Sequence, residues 1–458
     1  MSKRVWFDRV LEFTHLDKVI GEGKPDGLVL SGGGSRASFH FGALGYLYEK
    51  CQISQTSIVA TSAGSIAGAI IAQSLDPEVQ YEKLRAVEDI WLAMMDPSEM
   101  FTEQTWFTKL QEQWGEISGV IPDTNDSEPL IFADTQHIDP EESVKQALDF
   151  DPSSEGGEFS LAMVWHLLGS LGRIGKVGAG LASTWRGAER AASAYRPGPL
   201  VHRLLFESGF NSQAVRESGV KLRLATVGLN SGELHFMRED GILVNTDDIP
   251  TRETPVDLTL GVWASCAIPG VFRPVRIGDE LYVDGGVREN VPVEMGVTHL
   301  GMTKPYVIVS GPAGAAPTDF EAKDVVSILV RAMSILFDEA VQDEVAWARQ
   351  AGAVVIDPLI SVHGAMDVDH GLLKINRDYG WMRAAEVITS AEPGVTGPIV
   401  EARLNLWHEL REKLDARAIR SARKTLRTLV DTADPALLPE GYEAWPNETW
   451  PAPETPKP

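Results

Sequence analysis

Between residues 28 and 75 the chain passes twice through one pattern: a short apolar run, a cluster of small residues, then apolar residues at helical spacing. Leu28-Val29-Leu30 stops at Ser31-Gly32-Gly33-Gly34, after which Phe39, Ala43, Leu44, Leu47 and Tyr48 recur with a helical period. Residues 57–61 form a second strand-like run that ends at Ser62, and 63–75 read as a helix rich in Ala and Ile. Two strand–loop–helix units in succession predict a parallel sheet with helical crossovers, because parallel neighbours need a long connection across the sheet face. Further strand-like runs are expected at 221–227, 232–237, 305–310 and 353–356, with two short ones within 271–283. Helices are expected at 254–267, 325–350 and 401–430.

Both early junctions carry chemistry. Ala60-Thr61-Ser62-Ala63-Gly64 is a near match to G-x-S-x-G at a strand-to-helix turn, the setting that strains a serine and lifts its hydroxyl clear of the sheet. The positions two before and two after the serine must be small, and Ala60 departs from the motif by one methyl while Gly64 keeps it. The helix that follows turns its amides and partial positive charge towards the site. At the first junction, Ser31-Gly32-Gly33-Gly34-Ser35-Arg36-Ala37 lets backbone N–H groups converge on an anion, either a nucleotide phosphate or the oxyanion of an acyl-transfer intermediate. The dinucleotide fingerprint also wants an acidic residue ending the second strand. Here Thr61-Ser62-Ala63 stands in that place. A third feature, Val283-Asp284-Gly285-Gly286, puts a carboxylate at the end of a strand before two glycines.

Taken together these residues resemble the patatin-like phospholipase family: a glycine loop at Gly32 to Ala37, the elbow at Ala60 to Gly64, and Asp284-Gly285-Gly286. The approach Ala264-Ser265-Cys266-Ala267-Ile268-Pro269 and the exit Asn290-Val291-Pro292-Val293 are similar to the family's flanks of its aspartate, and the resemblance covers roughly 26–312 apart from 96–195. It implies a three-layer α/β/α fold with a mostly parallel central sheet, here carrying a helical, acidic insertion and a C-terminal helical extension. The expected organisation is an N-terminal segment (1–25), a catalytic domain (26–312) with its insertion at about 96–203, an α-rich part packed on it (313–432) and a Pro-rich, extended or disordered tail (433–458). The resemblance further implies a lipid acyl hydrolase with Ser62 as nucleophile and Asp284 as general base. Gly32, Gly33, Gly34 and Ser35 would form the oxyanion hole, Arg36 would brace that loop, and Ala60, Gly64, Gly285 and Gly286 would support the motifs. Such a dyad calls for no metal and no cofactor, and the substrate would be a phospholipid or another acyl-ester lipid.

Composition narrows the partners. A net charge of −24, from 65 acidic and 41 basic residues, argues against nucleic-acid binding, which needs a basic surface. Two cysteines, Cys51 and Cys266, are too few for a disulfide framework and suit a reducing compartment. With no apolar window of signal-peptide or bilayer-spanning length, the expected location is cytoplasmic, with any lipid met from the surface. Residues 96–158 hold 16 acidic and two basic residues and read as a solvated insertion. The basic stretch 161–203 has two readings. One is a helical cap on the domain; the other is a peripheral membrane contact, its apolar face rimmed by Arg173, Lys176, Arg186 and Arg190.

Three rival functions share these residues. A Ser-His-Asp triad would recruit His299, His363 or His370, but only about two strands precede Ser62, too few for that fold. A catalytically silent lipid- or partner-binding protein would be expected to lose the serine or the aspartate. An acyltransferase would use the same dyad with an alcohol or thiol in place of water.

Overall fold

The computed structural model describes residues 26–105, 108–109, 193–204, 208–312, 314, 325–413 and 415–450. The chain divides into two compact units, Met1–Glu103 with Ala192–Pro458, and Gln104–Ala191. Of the second unit only Gln104, Thr105, Thr108 and Lys109 are described, a helical turn in which Thr108 N–H donates to the Gln104 carbonyl at 3.1 Å. The N-terminal segment, most of the acidic insertion and the 161–192 part of the basic stretch lie outside the described residues.

Among the described residues the first unit has eleven strands: β1 (Leu28–Leu30), β2 (Ser57–Thr61), β3 (Phe101–Glu103), β4 (Tyr195–Pro197), β5 (Lys221–Gly228), β6 (Leu234–Arg238), β7 (Leu243–Val244), β8 (Val275–Ile277), β9 (Glu280–Asp284), β10 (Tyr306–Ile308) and β11 (Val354–Ile356). The helices needed below are α1 (Ser38–Cys51), α2 (Ala63–Ile71), α3 (Pro77–Leu92), α4 (Leu258–Ser265), α5 (Val325–Gln350), α6 (His370–Thr389), α7 (Gly397–His408) and α8 (Ala416–Thr432). Nine strands form the main sheet, in the order β11-β10-β1-β2-β5-β6-β7, with β9 also on β5 and β8 on β9. The pairings from β11 through β10, β1 and β2 to β5 are all parallel. Those involving β6, β7, β8 and β9 are antiparallel.

Side chains that alternate along the strands feed two cores, which makes the architecture three-layered. Leu28, Leu30, Ile58, Ala60, Leu222, Leu224 and Ile308 join α1, α2, α3 and α6 on one face. Val29, Val59, Ala225, Val307 and Val355 meet Val341, Val345 and Ala348 of α5 on the other. Parallel strands covered on both faces read as continuous apolar runs, which is why they stand out in the sequence. Among the described residues no helix is long and apolar enough to cross a membrane.

Two expectations are corrected. The single helix expected over 401–430 is two, α7 and α8, because the Asp415 side chain accepts the Arg417 N–H and starts a new helix there. The described part of the tail, residues 433–450, is folded, with short 3-10 turns at Pro435–Leu437 and Tyr442–Asn447. Its anchor is Trp445, which lies 4.0 Å from the guanidinium of buried Arg403. That guanidinium also pairs with Asp378 at 2.6 Å and with Glu448 at 2.9 Å. Prolines in such turns set the backbone angle without disordering it. The 313–432 stretch also contributes β11 to the main sheet, so the chain shows no break near 312.

Replacing Trp445 by Ala removes a buried aromatic and uncovers a buried cation, and is expected to cost about 3 kcal/mol. A fall in thermal midpoint reads this directly; an unchanged midpoint would mean that the tail contributes nothing to stability.

Candidate active site

Strand β5 brings the two distant motifs together. Its edge opposite β6 is shared: β2 occupies residues 221–225, running parallel, and β9 occupies 226–228, running antiparallel. The two strands meet head to head, with Thr61 opposite Ala225 and Asp284 opposite the next residue, Thr226. The residue following Thr61 is Ser62, so the register of one strand sets the serine beside the aspartate.

Ser62 has φ 53° and ψ −128°, a left-handed conformation that a serine adopts only where its surroundings compel it. Its N–H donates to Ser265 Oγ at 3.0 Å, and Ser265 Oγ is 2.7 Å from Ser65 Oγ. Its carbonyl accepts the Ser65 N–H at 2.8 Å and the Cys266 thiol at 3.1 Å. Gly64 has to be glycine: a Cβ there would lie 2.6 Å from the Ser31 carbonyl oxygen and 2.9 Å from Leu30 Cβ. The extra methyl of Ala60 has its own compensation. It faces Gly68 on the next turn of α2, where an added Cβ would come within 3.3 Å of Ala60 Cβ.

Asp284 is buried, 2% exposed. Its Oδ1 accepts the Gly286 N–H at 2.8 Å, while Oδ2 has no well-formed hydrogen bond. Burial pushes its pKa from 3.8 up to about 7, against the opposing pull of the Ser62 hydroxyl and the Gly286 N–H. The serine thus acts on the carboxyl through a loose contact of the kind that tightens when substrate fills a site. Gly285 packs so closely on β5 that a Cβ would meet the Ala225 carbonyl at 2.6 Å. Nearby, the Cys266 thiol is held protonated, its pKa raised by burial and by Asp284.

The glycine loop divides into engaged and unengaged amides. Gly32 N–H donates to Asn290 Oδ1 at 2.8 Å and lies 3.2 Å from the Asn290 carbonyl; Ser35 N–H donates to the Ala365 carbonyl at 2.9 Å. Both of these N–H groups are therefore engaged within the protein. Among the described residues no acceptor takes the N–H of Gly33 or of Gly34. Gly34 has φ 57° and faces a cleft together with Ser62 and Ala63. Arg36 donates to the Gly33 carbonyl at 3.4 Å and to Asp338 of α5 at 3.1 Å.

The cleft beside Ser62 has an empty volume of about 540 Å³, open mouth included. Away from the serine its walls are apolar: Ile66, Trp91, Met100, Leu204 and the stacked rings of Phe101 and Phe272, 5.6 Å apart. Two of the histidines that a triad would recruit bond elsewhere. His363 Nδ1 contacts the Gly364 carbonyl at 2.9 Å and His370 Nδ1 the Leu92 carbonyl at 2.7 Å. Burial drives His363 down to a pKa of about 4 and His40 to about 3, so both are neutral.

A family model described as patatin-like phospholipase matches residues 28–297, more than half of the chain. The chain belongs to the patatin-like phospholipase family, whose members act on lipids. Comparison with curated proteins gave no match. Among solved structures the chain is similar to VipD from Legionella pneumophila, with 14% identity over 90% of this chain and 80% of that one and a TM-score of 0.35. It is also similar to ExoU of Pseudomonas aeruginosa in its complex with SpcU, with 16% identity over 90% and 67% and a TM-score of 0.21. At these scores the likenesses add nothing to the family assignment.

Within this patatin-like site, sequence reasoning missed the residues that hold the others: Asn290 on Gly32, Ser265 and Cys266 on Ser62, and Ser310, whose Oγ donates to the Gly32 carbonyl at 2.7 Å. Their signal was present as single polar side chains inside otherwise apolar stretches, since a buried polar group needs a partner.

The raised pKa of Asp284 links to stability. From about pH 4 to about 7 the unfolded chain has released this proton and the folded one keeps it, so stability falls as pH rises and the penalty is complete above 7. Asp284→Asn is therefore expected to be more stable than the parent at pH 8, by up to about 4 kcal/mol, with the difference vanishing near pH 4. Thermal midpoints measured at both pH values check this; equal gains at both would point to packing rather than charge.

Proposed function

We propose that this chain hydrolyses carboxylic esters of lipids through an acyl-enzyme on Ser62, with Asp284 as general base. The observation that carries the reading is the pairing of Thr61 and Asp284 with adjacent residues of β5, which sets Ser62 beside Asp284, one strained and the other a carboxyl that ionises near neutrality.

The ester carbonyl carbon would be attacked by Ser62 Oγ while the serine proton passes to ionised Asp284. The carbonyl oxygen becomes an oxyanion, and the free N–H groups of Gly33 and Gly34 are its donors, with the amide of Ala63 at the start of α2 beside them. Collapse of the tetrahedral intermediate breaks the ester C–O bond, and the alcohol leaves with the proton held by Asp284. Water then attacks the acyl-enzyme and gives its proton to Asp284; when the second intermediate collapses, that proton returns to Ser62 and the fatty acid departs. The apolar cleft supplies a place for the acyl chain and keeps water from the oxyanion.

Ser62→Ala and Asp284→Asn should each lower hydrolysis of a soluble ester by at least ~10³-fold. His299→Ala and His370→Ala should stay within several-fold of the parent. Activity that survives Asp284→Asn and collapses with a histidine substitution would sink the dyad in favour of a triad. The kcat/KM of the parent should rise with pH through a midpoint at about 7, where Asp284 is half ionised, and level off above it. A flat profile between pH 5 and 8 would argue against a carboxylate base of that pKa.

A further inference from the structure

Three consecutive residues, Ser265, Cys266 and Ala267, leave the end of α4 and touch both halves of the site. Ser265 Oγ accepts the Ser62 N–H at 3.0 Å, the Cys266 thiol donates to the Ser62 carbonyl at 3.1 Å, and the Ala267 carbonyl accepts the Asp284 N–H at 3.0 Å. We propose that Ser265 and Cys266 are positioning residues, which with Ala267 form one clamp that fixes Ser62 and Asp284 relative to each other. The proposal rests on the reading of Ser62 and Asp284 given above.

The backbone explains why a clamp is needed. Ser62 lies past the last paired residue of β2 and before the first helical residue of α2, so its N–H belongs to neither ladder. Its φ of 53° is a conformation costing on the order of 1–3 kcal/mol, which persists only where the surroundings over-determine it. Ser265 is wholly buried and is also engaged with Ser65 on α2, so the hydroxyl pair ties the elbow to its own helix as well as to α4. Cys266 donates from a thiol that burial and Asp284 keep protonated, which suits a donor and disqualifies a nucleophile. The strand register brings Asp284 to the residue next to the elbow, and Ala267 holds the aspartate backbone to the segment that grips the serine. A shift of either partner therefore strains the other. None of the three clamp bonds goes to a group that would react.

The test uses the full chain, p-nitrophenyl butyrate as soluble ester, and the rate of Ser62 labelling by a fluorophosphonate. Ser265→Ala and Cys266→Ala are expected to lower kcat about 10- to 100-fold with KM within about threefold, because Ser265 does not line the acyl cleft and Cys266 is one of its 14 lining residues, so the cleft largely stays while the nucleophile loses its aim. The labelling rate should fall in parallel. Cys266→Ser keeps a donor and should recover most of the loss seen in Cys266→Ala, whereas Cys51→Ala, at the far end of α1, should match the parent. Ser65→Ala and Ser265→Ala should combine less than additively, since they break one hydroxyl pair. If Ser265→Ala does not fold, the Cys266→Ala and Cys266→Ser comparison decides alone. Folded Ser265→Ala and Cys266→Ala with kcat within twofold of a normally labelled parent would overturn the clamp and leave the dyad standing. So would Cys266→Ser as impaired as Cys266→Ala. A parent chain that neither turns over nor labels would overturn the Ser62–Asp284 reading, and the clamp with it.

Discussion

The structure turns on one edge of one strand. β5 accepts β2 along its first half and β9 along its second, from opposite directions, so the ends of two remote segments abut at Ala225 and Thr226. Sheet register is quantised: a slip of one residue turns every side chain to the opposite face. The relative placement of Ser62 and Asp284 is therefore a discrete property of hydrogen-bonded pairing, over-determined by alternating residues packed into two cores. Loops alone could not hold such a spacing, because each would contribute its own soft dihedrals.

Burial gives the site its chemistry and weakens the fold at the same point. Asp284 is buried, its Oδ2 has no well-formed hydrogen bond, and no cationic side chain is among the groups that set its pKa. A paired carboxylate would ionise readily and be a feeble base; an unpaired buried one ionises reluctantly and takes a proton willingly. The glycine loop follows the same logic with amides. Gly32 and Ser35 are tied into protein, which holds the loop rigid, and between them Gly33 and Gly34 keep N–H groups that no acceptor takes among the described residues, Gly34 lining the cleft.

Much of this was legible in the sequence, for physical reasons that differ by element. β1 and β2 declared themselves because strands covered on both faces are largely apolar, β5 by its alternation, and the elbow because only small residues let α2 pass so close to Leu30 and Ser31. Helix α6 gave no comparable signal. It is buried nearly all round yet carries Asn376, Asp378, Arg383 and Glu386 inside, the first three satisfied by Ser38, Arg403 and the Asp357 carbonyl and the last by Arg383 and Thr396, so its pattern has no apolar stripe. The break between α7 and α8 hung on a single cap at Asp415 within an unbroken helical period. The clamp residues were invisible as such, since hydrogen bonds spanning some two hundred positions leave no local periodicity.

Arg36 has a consequence for where this protein begins and ends as a unit of inheritance. The stretch that marks its family closes at residue 297, yet the loop that stretch contains leans on Asp338 through Arg36, on Ala365 through Ser35, and on Asn376 through the Arg36 carbonyl. What is recognisable by descent is thus smaller than what is mechanically complete. The C-terminal third could be exchanged only for another sequence that reaches back to the same three points.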